Sequence, residues 1–139
     1  MQANQVSPID KQLLIAARLA RQNAWCPYSH FQVGCALLDE IGRIHVGANV
    51  ENASYGLTVC AERAAFFSAV GQGTRKIKRV VVVTGTQFPT PPCGACRQVM
   101  AEFGLDFQVG LAGITGDGIE WHNMADLLPR AFTFKASQE

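Results

Sequence analysis

The sequence predicts an α/β fold, a three-layer α/β/α sandwich around a mixed five-stranded sheet. Three observations carry that expectation: an apolar stripe at helical spacing near the start, the run of four valines from Val80 to Val83, and alternation of helical with extended segments after it. A strand that is apolar on both faces belongs between two helix layers.

Each element follows from local chemistry. Ser7, Pro8 and Asp10 read as N-cap, first helical residue and acidic first turn, and Ile9, Leu13, Ala16, Ala17, Ala20 and Ala24 continue one stripe, so a first helix is predicted over 8–24. Pro27 stops it. From Phe31 the pattern is extended through Val33, Cys35 and Leu37; a turn from Asp39 to Gly42 then leads into a second strand over 44–50. Gly56 and the pair Gly71 and Gly73 bracket an alanine-rich helix over 58–70, with Thr58 as its N-cap. The valine strand over 79–84 comes next. Pro91-Pro92 then precedes a third helix over 94–103, two strands follow over 107–111 and 119–122, and 124–128 forms a short last helix.

At 139 residues the chain is expected to be one domain, 1–139, that buries roughly two-thirds of its unfolded-chain surface. A hydrophobic content of 48% with 17% charged residues is globular and slightly apolar on the outside, which points to a subunit of an oligomer. The net charge of +1 offers no basic face, so nucleic acid is not an expected partner. No membrane segment or export signal is read at the N-terminus, so a cytoplasmic location is expected. The odd count of five cysteines argues for a reducing compartment rather than a disulfide framework.

Those cysteines hold the chemistry. Cys93 and Cys96 stand at i and i+3 at a helix start, and Cys60 falls near another. Three sulfurs without a fourth ligand residue nearby describe a catalytic zinc site, which keeps one tetrahedral position for water, whereas a structural site closes all four. Helix N-termini carry about half a positive charge, which favours thiolates. A divalent ion with three thiolates is net negative, so a nearby cation is wanted. Arg63 is placed to donate hydrogen bonds to the sulfurs. Glu62 lies beside the ion if Cys60 projects from its helix end. By itself, the spacing of Cys93 and Cys96 also suits a redox dithiol or half a structural zinc knuckle. Neither alternative accounts for Cys60-Ala61-Glu62.

Four segments carry a family resemblance in order along nearly the whole chain: Pro27-Tyr28-Ser29-His30-Phe31-Gln32-Val33-Gly34-Cys35-Ala36-Leu37, Gly47-Ala48-Asn49-Val50-Glu51-Asn52-Ala53-Ser54-Tyr55-Gly56, Cys60-Ala61-Glu62-Arg63-Ala64 and Pro92-Cys93-Gly94-Ala95-Cys96-Arg97-Gln98. Together they resemble the small, homotetrameric, three-cysteine class of cytidine deaminases. That resemblance implies one Zn²⁺ per subunit on Cys60, Cys93 and Cys96, and Glu62 as the proton carrier in hydrolytic deamination of cytidine and deoxycytidine. It also implies that Asn49 and Glu51 hold the ribose hydroxyls, that Phe31 and the backbone at Ala61 and Cys93 meet the nucleoside, and that Phe132 reaches a neighbouring subunit's base. Deaminases of a cytosine-bearing antibiotic such as blasticidin S look similar around the zinc motifs but lack the segment from Glu51 to Gly56. A non-enzymatic structural zinc module is the remaining alternative. Cys26 and Cys35 are expected to be small buried hydrophobes, and His30, His45 and His122 are read as surface or strand-end residues without chemistry. Glu102, Asp106, Asp117 and Glu120 are expected in solvent.

Overall fold

The computed structural model describes residues 6–134. Four helices, α1 (Pro8–Arg21), α2 (Ala61–Gly71), α3 (Gly94–Ala101) and α4 (Met124–Leu127), pack on five strands, β1 (Val33–Asp39), β2 (Ile44–Ala48), β3 (Ile77–Thr84), β4 (Gln108–Ala112) and β5 (Glu120–Asn123). The strands form one sheet in the order β2-β1-β3-β4-β5. Only β3 and β4 are parallel, and α3 makes the crossover between them. The sheet is mixed and five-stranded, as the sequence predicts.

Two cores flank it. On one face Leu13, Leu14 and Ala17 of α1 pack against Ala36, Leu38, Val81 and Val83. On the other, α2, α3 and α4 bury Phe66, Met100 and Met124 against Cys35, Leu37, Val80 and Val82. The valines thus divide by alternation, odd positions to one helix layer and even to the other. Cys35 is fully buried and Cys26 nearly so, as expected of small hydrophobes.

Helix positions are set at their ends and by close approach. Ser7 Oγ accepts the N–H of Asp10 at 3.3 Å and caps α1. Both Asp10 carboxylate oxygens receive Arg79 Nη1, at 2.9 and 2.7 Å, and the Arg79 guanidinium stacks over Trp121, tying the helix to β3 and β5. A Cβ on Gly34 would fall 2.0 Å from the Ala17 carbonyl oxygen, and one on Gly47 would fall 2.3 Å from the Ala65 nitrogen. Those two glycines let α1 and α2 sit directly on the hairpin.

Several boundaries differ from the sequence reading by two or three residues, among them β2, which ends at Ala48 rather than at 50, β3, which starts at Ile77 rather than at 79, and α3, which ends at Ala101 rather than at 103; two others have a local cause. α1 ends at Arg21 rather than at 24, because the chain turns through Asn23 and Ala24 and then gives the Trp25 N–H to the Asn49 carbonyl. α2 begins at Ala61 with Cys60 as its N-cap, because the Thr58 hydroxyl is spent on the N–H of Asn52 at 3.1 Å.

The sequence places His45 at the surface or a strand end, yet it is buried and bonded at 2.9 Å to Asp39, which opens the β1–β2 turn as expected and is itself buried. Asp39 Oδ2 also receives Arg43 Nε at 2.9 Å and the Thr74 hydroxyl at 2.8 Å, while Oδ1 takes the N–H of Ile41 and of Arg43. One carboxylate therefore joins the β1–β2 turn to the segment leaving α2. His122 likewise pairs with Glu120, at 2.6 Å, but in solvent.

Burial pushes the Asp39 carboxyl up, but hydrogen bonds from His45, the Arg43 backbone, Thr74 and the Arg43 side chain outweigh it and hold the group well below the usual carboxylate range. Since the folded value is depressed, the stabilisation is complete above the unfolded value of about 3.9 and is lost as pH falls toward the folded one. Asp39→Asn is expected to cost about 3 kcal/mol in urea unfolding near pH 7. The gap to the parent should narrow steadily below about pH 4; a gap of constant size down to about pH 2 would contradict this account.

Candidate active site

Cys60 and Cys93 are the N-caps of α2 and α3, both in extended backbone conformation and neither using its side chain to cap the helix. Each instead places a sulfur at a helix N-terminus, and Cys96 adds a third from the first turn of α3. The segment is delivered there by Pro91-Pro92, which cannot continue a helix backwards. Arg97 fastens the start of α3 by donating Nε to the Pro92 carbonyl at 2.8 Å and Nη1 to the Leu127 carbonyl at 2.7 Å.

The Cys60 and Cys93 sulfurs are 3.9 Å apart and those of Cys93 and Cys96 3.4 Å apart, with all three within 4.8 Å of one another. Tetrahedral zinc with bonds of about 2.3 Å separates two sulfur ligands by about 3.8 Å. The donor set therefore fits that ion. Among the described residues, no His, Asp or Glu joins the cluster as a fourth ligand.

The charges around the sulfurs agree with a cationic occupant. Arg63 Nη2 donates to Cys60 Sγ at 3.4 Å, as the sequence reading expects. A donor on a thiolate draws charge from it and steadies its orientation. The hydrogen bond with Cys96, opposed by burial and reinforced by Arg63 and Cys93, pulls Cys60 down to about 5. The same contact, together with burial, pushes Cys96 well up.

A cavity of about 330 Å³ opens over the cluster, of a size for a small molecule. Phe31, Asn49, Glu51, Ala61 and Glu62 line it with Cys60 and Cys93. The polar strand end, the acid and two of the sulfurs thus meet in one space. Glu62 is only 5% exposed, and burial, with a smaller push from Cys60, raises its carboxyl to about 7 against the opposing pull of its own backbone N–H and of Arg63. Asn49 is braced on both ends of its amide: Oδ1 accepts the Val33 N–H at 2.9 Å, and Nδ2 donates to the Phe31 carbonyl at 2.8 Å. Glu51 is braced by Tyr28 and Ser29.

Phe132 lies elsewhere. It is 64% exposed, edge-on to Phe134 with ring centroids 5.5 Å apart, and outside this cavity of its own chain. Ser29, Thr84 and Thr90, to which the sequence gives no site role, also line the cavity, as does Thr58, read from the sequence only as a helix cap. Ser29 was nonetheless in view, inside the segment from Pro27 to Phe31.

Three thiolates beside a buried carboxylic acid make the arrangement that zinc deaminases use, and that is the class this fold and site define. The chain belongs to the cytidine and deoxycytidylate deaminase family, whose zinc-binding region matches residues 7–110. It is 52% identical over 127 residues to a cytidine deaminase of Halalkalibacterium halodurans, covering 90% of this chain and 96% of that one. A Sporosarcina psychrophila cytidine deaminase is 49% identical over 124 residues, covering 88% and 90%. The crystal structure of a cytidine deaminase from Burkholderia pseudomallei superposes with a TM-score of 0.83 at 48% identity, covering 88% of this chain and 98% of that one.

Proposed function

We propose that this protein catalyses hydrolytic deamination of cytidine and deoxycytidine to uridine and deoxyuridine, with loss of ammonia. The observation that carries the reading is the meeting of the three-sulfur cluster, the buried Glu62 and the Asn49–Glu51 strand end around one cavity. Zinc on Cys60, Cys93 and Cys96 would supply a Lewis acid that makes water a nucleophile near neutral pH.

The remaining work falls to the chain. Glu62 takes a proton from the attacking water and delivers it to N3 of the pyrimidine, which leaves C4 open to addition. A second transfer through the same carboxylate protonates the exocyclic amine; the C4–N bond breaks, ammonia departs, and the ring keeps the oxygen. Backbone groups at Ala61 and Cys93 hold the base, Phe31 covers it, and Asn49 and Glu51 receive the sugar hydroxyls. Arg63 moderates the charge of the sulfurs.

Free nucleosides rather than nucleotides are the proposed substrates, because the sugar end of the cavity offers a carboxylate and an amide where a phosphate would need cations. The enzyme is proposed to be a single-domain homotetramer in pyrimidine salvage. Exposed Tyr55, Leu57 and Phe67 offer apolar surface for subunit contacts. Phe132, outside its own cavity, is free to complete a neighbour's. A cytoplasmic location suits the free thiols at the site, and no helix among the described residues is long and apolar enough to cross a membrane.

Absorbance assays should show turnover of cytidine and deoxycytidine, with none of cytidylate. Glu62→Ala should keep about one zinc per chain by elemental analysis yet lose at least about 10³ in kcat. A near-normal rate in that variant would refute the mechanism. Dilution should also lower specific activity as subunits separate; a fully active monomer would show that no neighbour completes the site.

A further inference from the structure

Glu51 is organised before any sugar arrives. Its Oε1 accepts the consecutive N–H groups of Tyr28 at 3.0 Å and Ser29 at 3.1 Å, and its Oε2 accepts the Ser29 hydroxyl. The same hydroxyl oxygen accepts the N–H of Phe31 at 3.0 Å. A single serine thus connects the carboxylate at the sugar end of the cavity with the backbone of the aromatic residue that lines it. An ionised carboxylate has about four acceptor sites; Tyr28 and Ser29 occupy all but one, and that one remains for a ligand hydroxyl.

The turn that carries Ser29 is shaped for this purpose. The His30 N–H closes it on the Cys26 carbonyl at 3.0 Å, and His30 itself sits at φ 58°, in the left-handed region that non-glycine residues seldom adopt. That bend directs two successive N–H groups at one oxygen. The Glu51 backbone is held separately, its N–H on the Trp25 carbonyl at 2.7 Å. Removing the Ser29 hydroxyl would therefore free Oε2, leaving the carboxylate held only at Oε1 by the two backbone N–H groups, without releasing the strand. The hydrogen bond from Ser29 is also the leading cause that lowers the Glu51 carboxyl, keeping it an acceptor.

We infer that Ser29 is a positioning residue for sugar recognition, its hydroxyl setting the Glu51 carboxylate and the Phe31 backbone in the geometry that admits one nucleoside hydroxyl. This rests on the reading of the cavity as a nucleoside site. Ser29 touches no reacting atom. Its effect should appear in substrate discrimination and in KM rather than in the chemical step.

Steady-state kinetics of Ser29→Ala and Ser29→Thr with cytidine, 2′-deoxycytidine and 3′-deoxycytidine test it. Ser29→Ala should lower kcat/KM for cytidine by about tenfold, mostly through KM. The deoxy analogue lacking the hydroxyl that Glu51 receives should lose almost nothing, so the parent's discrimination against it collapses. Ser29→Thr, which keeps the hydroxyl, should restore that discrimination. In a Glu51→Gln background, Ser29→Ala should add no further loss, which separates positioning from general unfolding. Equal losses on all three nucleosides, or a full additional loss in the Glu51→Gln background, would overturn the inference while leaving the deaminase reading intact. No turnover by the parent enzyme would overturn both.

Discussion

Two helices begin at the same point, and the rest of the molecule is arranged so that they can. α2 and α3 each start from a cysteine N-cap, and the sulfurs of those caps come within 3.9 Å of each other although they are far apart in sequence. The positive ends of both helices face the cluster, which favours the charged form of the ligands. Holding two helix starts together at a net-negative centre needs a rigid support. The sheet supplies it: α2 rests on β2 through the close approach at Gly47, and α3 leaves from the carboxyl end of β3, where open α/β sheets commonly bind ligands.

Two buried carboxylates show how one fold assigns opposite tasks to the same functional group. Asp39 is surrounded by donors that overcome its burial, and it serves as a structural joint between hairpin and helix. Glu62 is as well buried, but its environment does not overcome the desolvation, and its carboxyl is held near neutrality beside the cavity. A group that is fully hydrogen-bonded anchors structure. A group left short of donors at the edge of a cavity is free to exchange protons.

Much of this was legible in residue order because it depends on local chemistry. The Ser7-Pro8 start, the valine strand and the proline pair before Cys93 each act within a few positions, and the ligand set was visible because metal coordination restricts both residue type and number. Long-range partnerships were not legible. Thr74 meets Asp39 across 35 residues and His45 turns inward to join them, and no periodicity reports such a contact. The N-cap of α2 was misplaced because Thr58 is a good capping residue whose hydroxyl is already engaged by Asn52. Ser29 stood inside a recognised segment, yet only the folded turn reveals that its hydroxyl bonds both Glu51 and Phe31.

Deamination at this site requires that three protein sulfurs hold the metal and that a small oxygen ligand takes the remaining corner. X-ray absorption at the zinc edge of the purified protein measures this directly. Three sulfur neighbours at about 2.3 Å and one oxygen neighbour at about 2.0 Å are expected. A shell of four sulfurs, or a fourth position filled by a protein nitrogen, would contradict it, since water would then have no place to be activated.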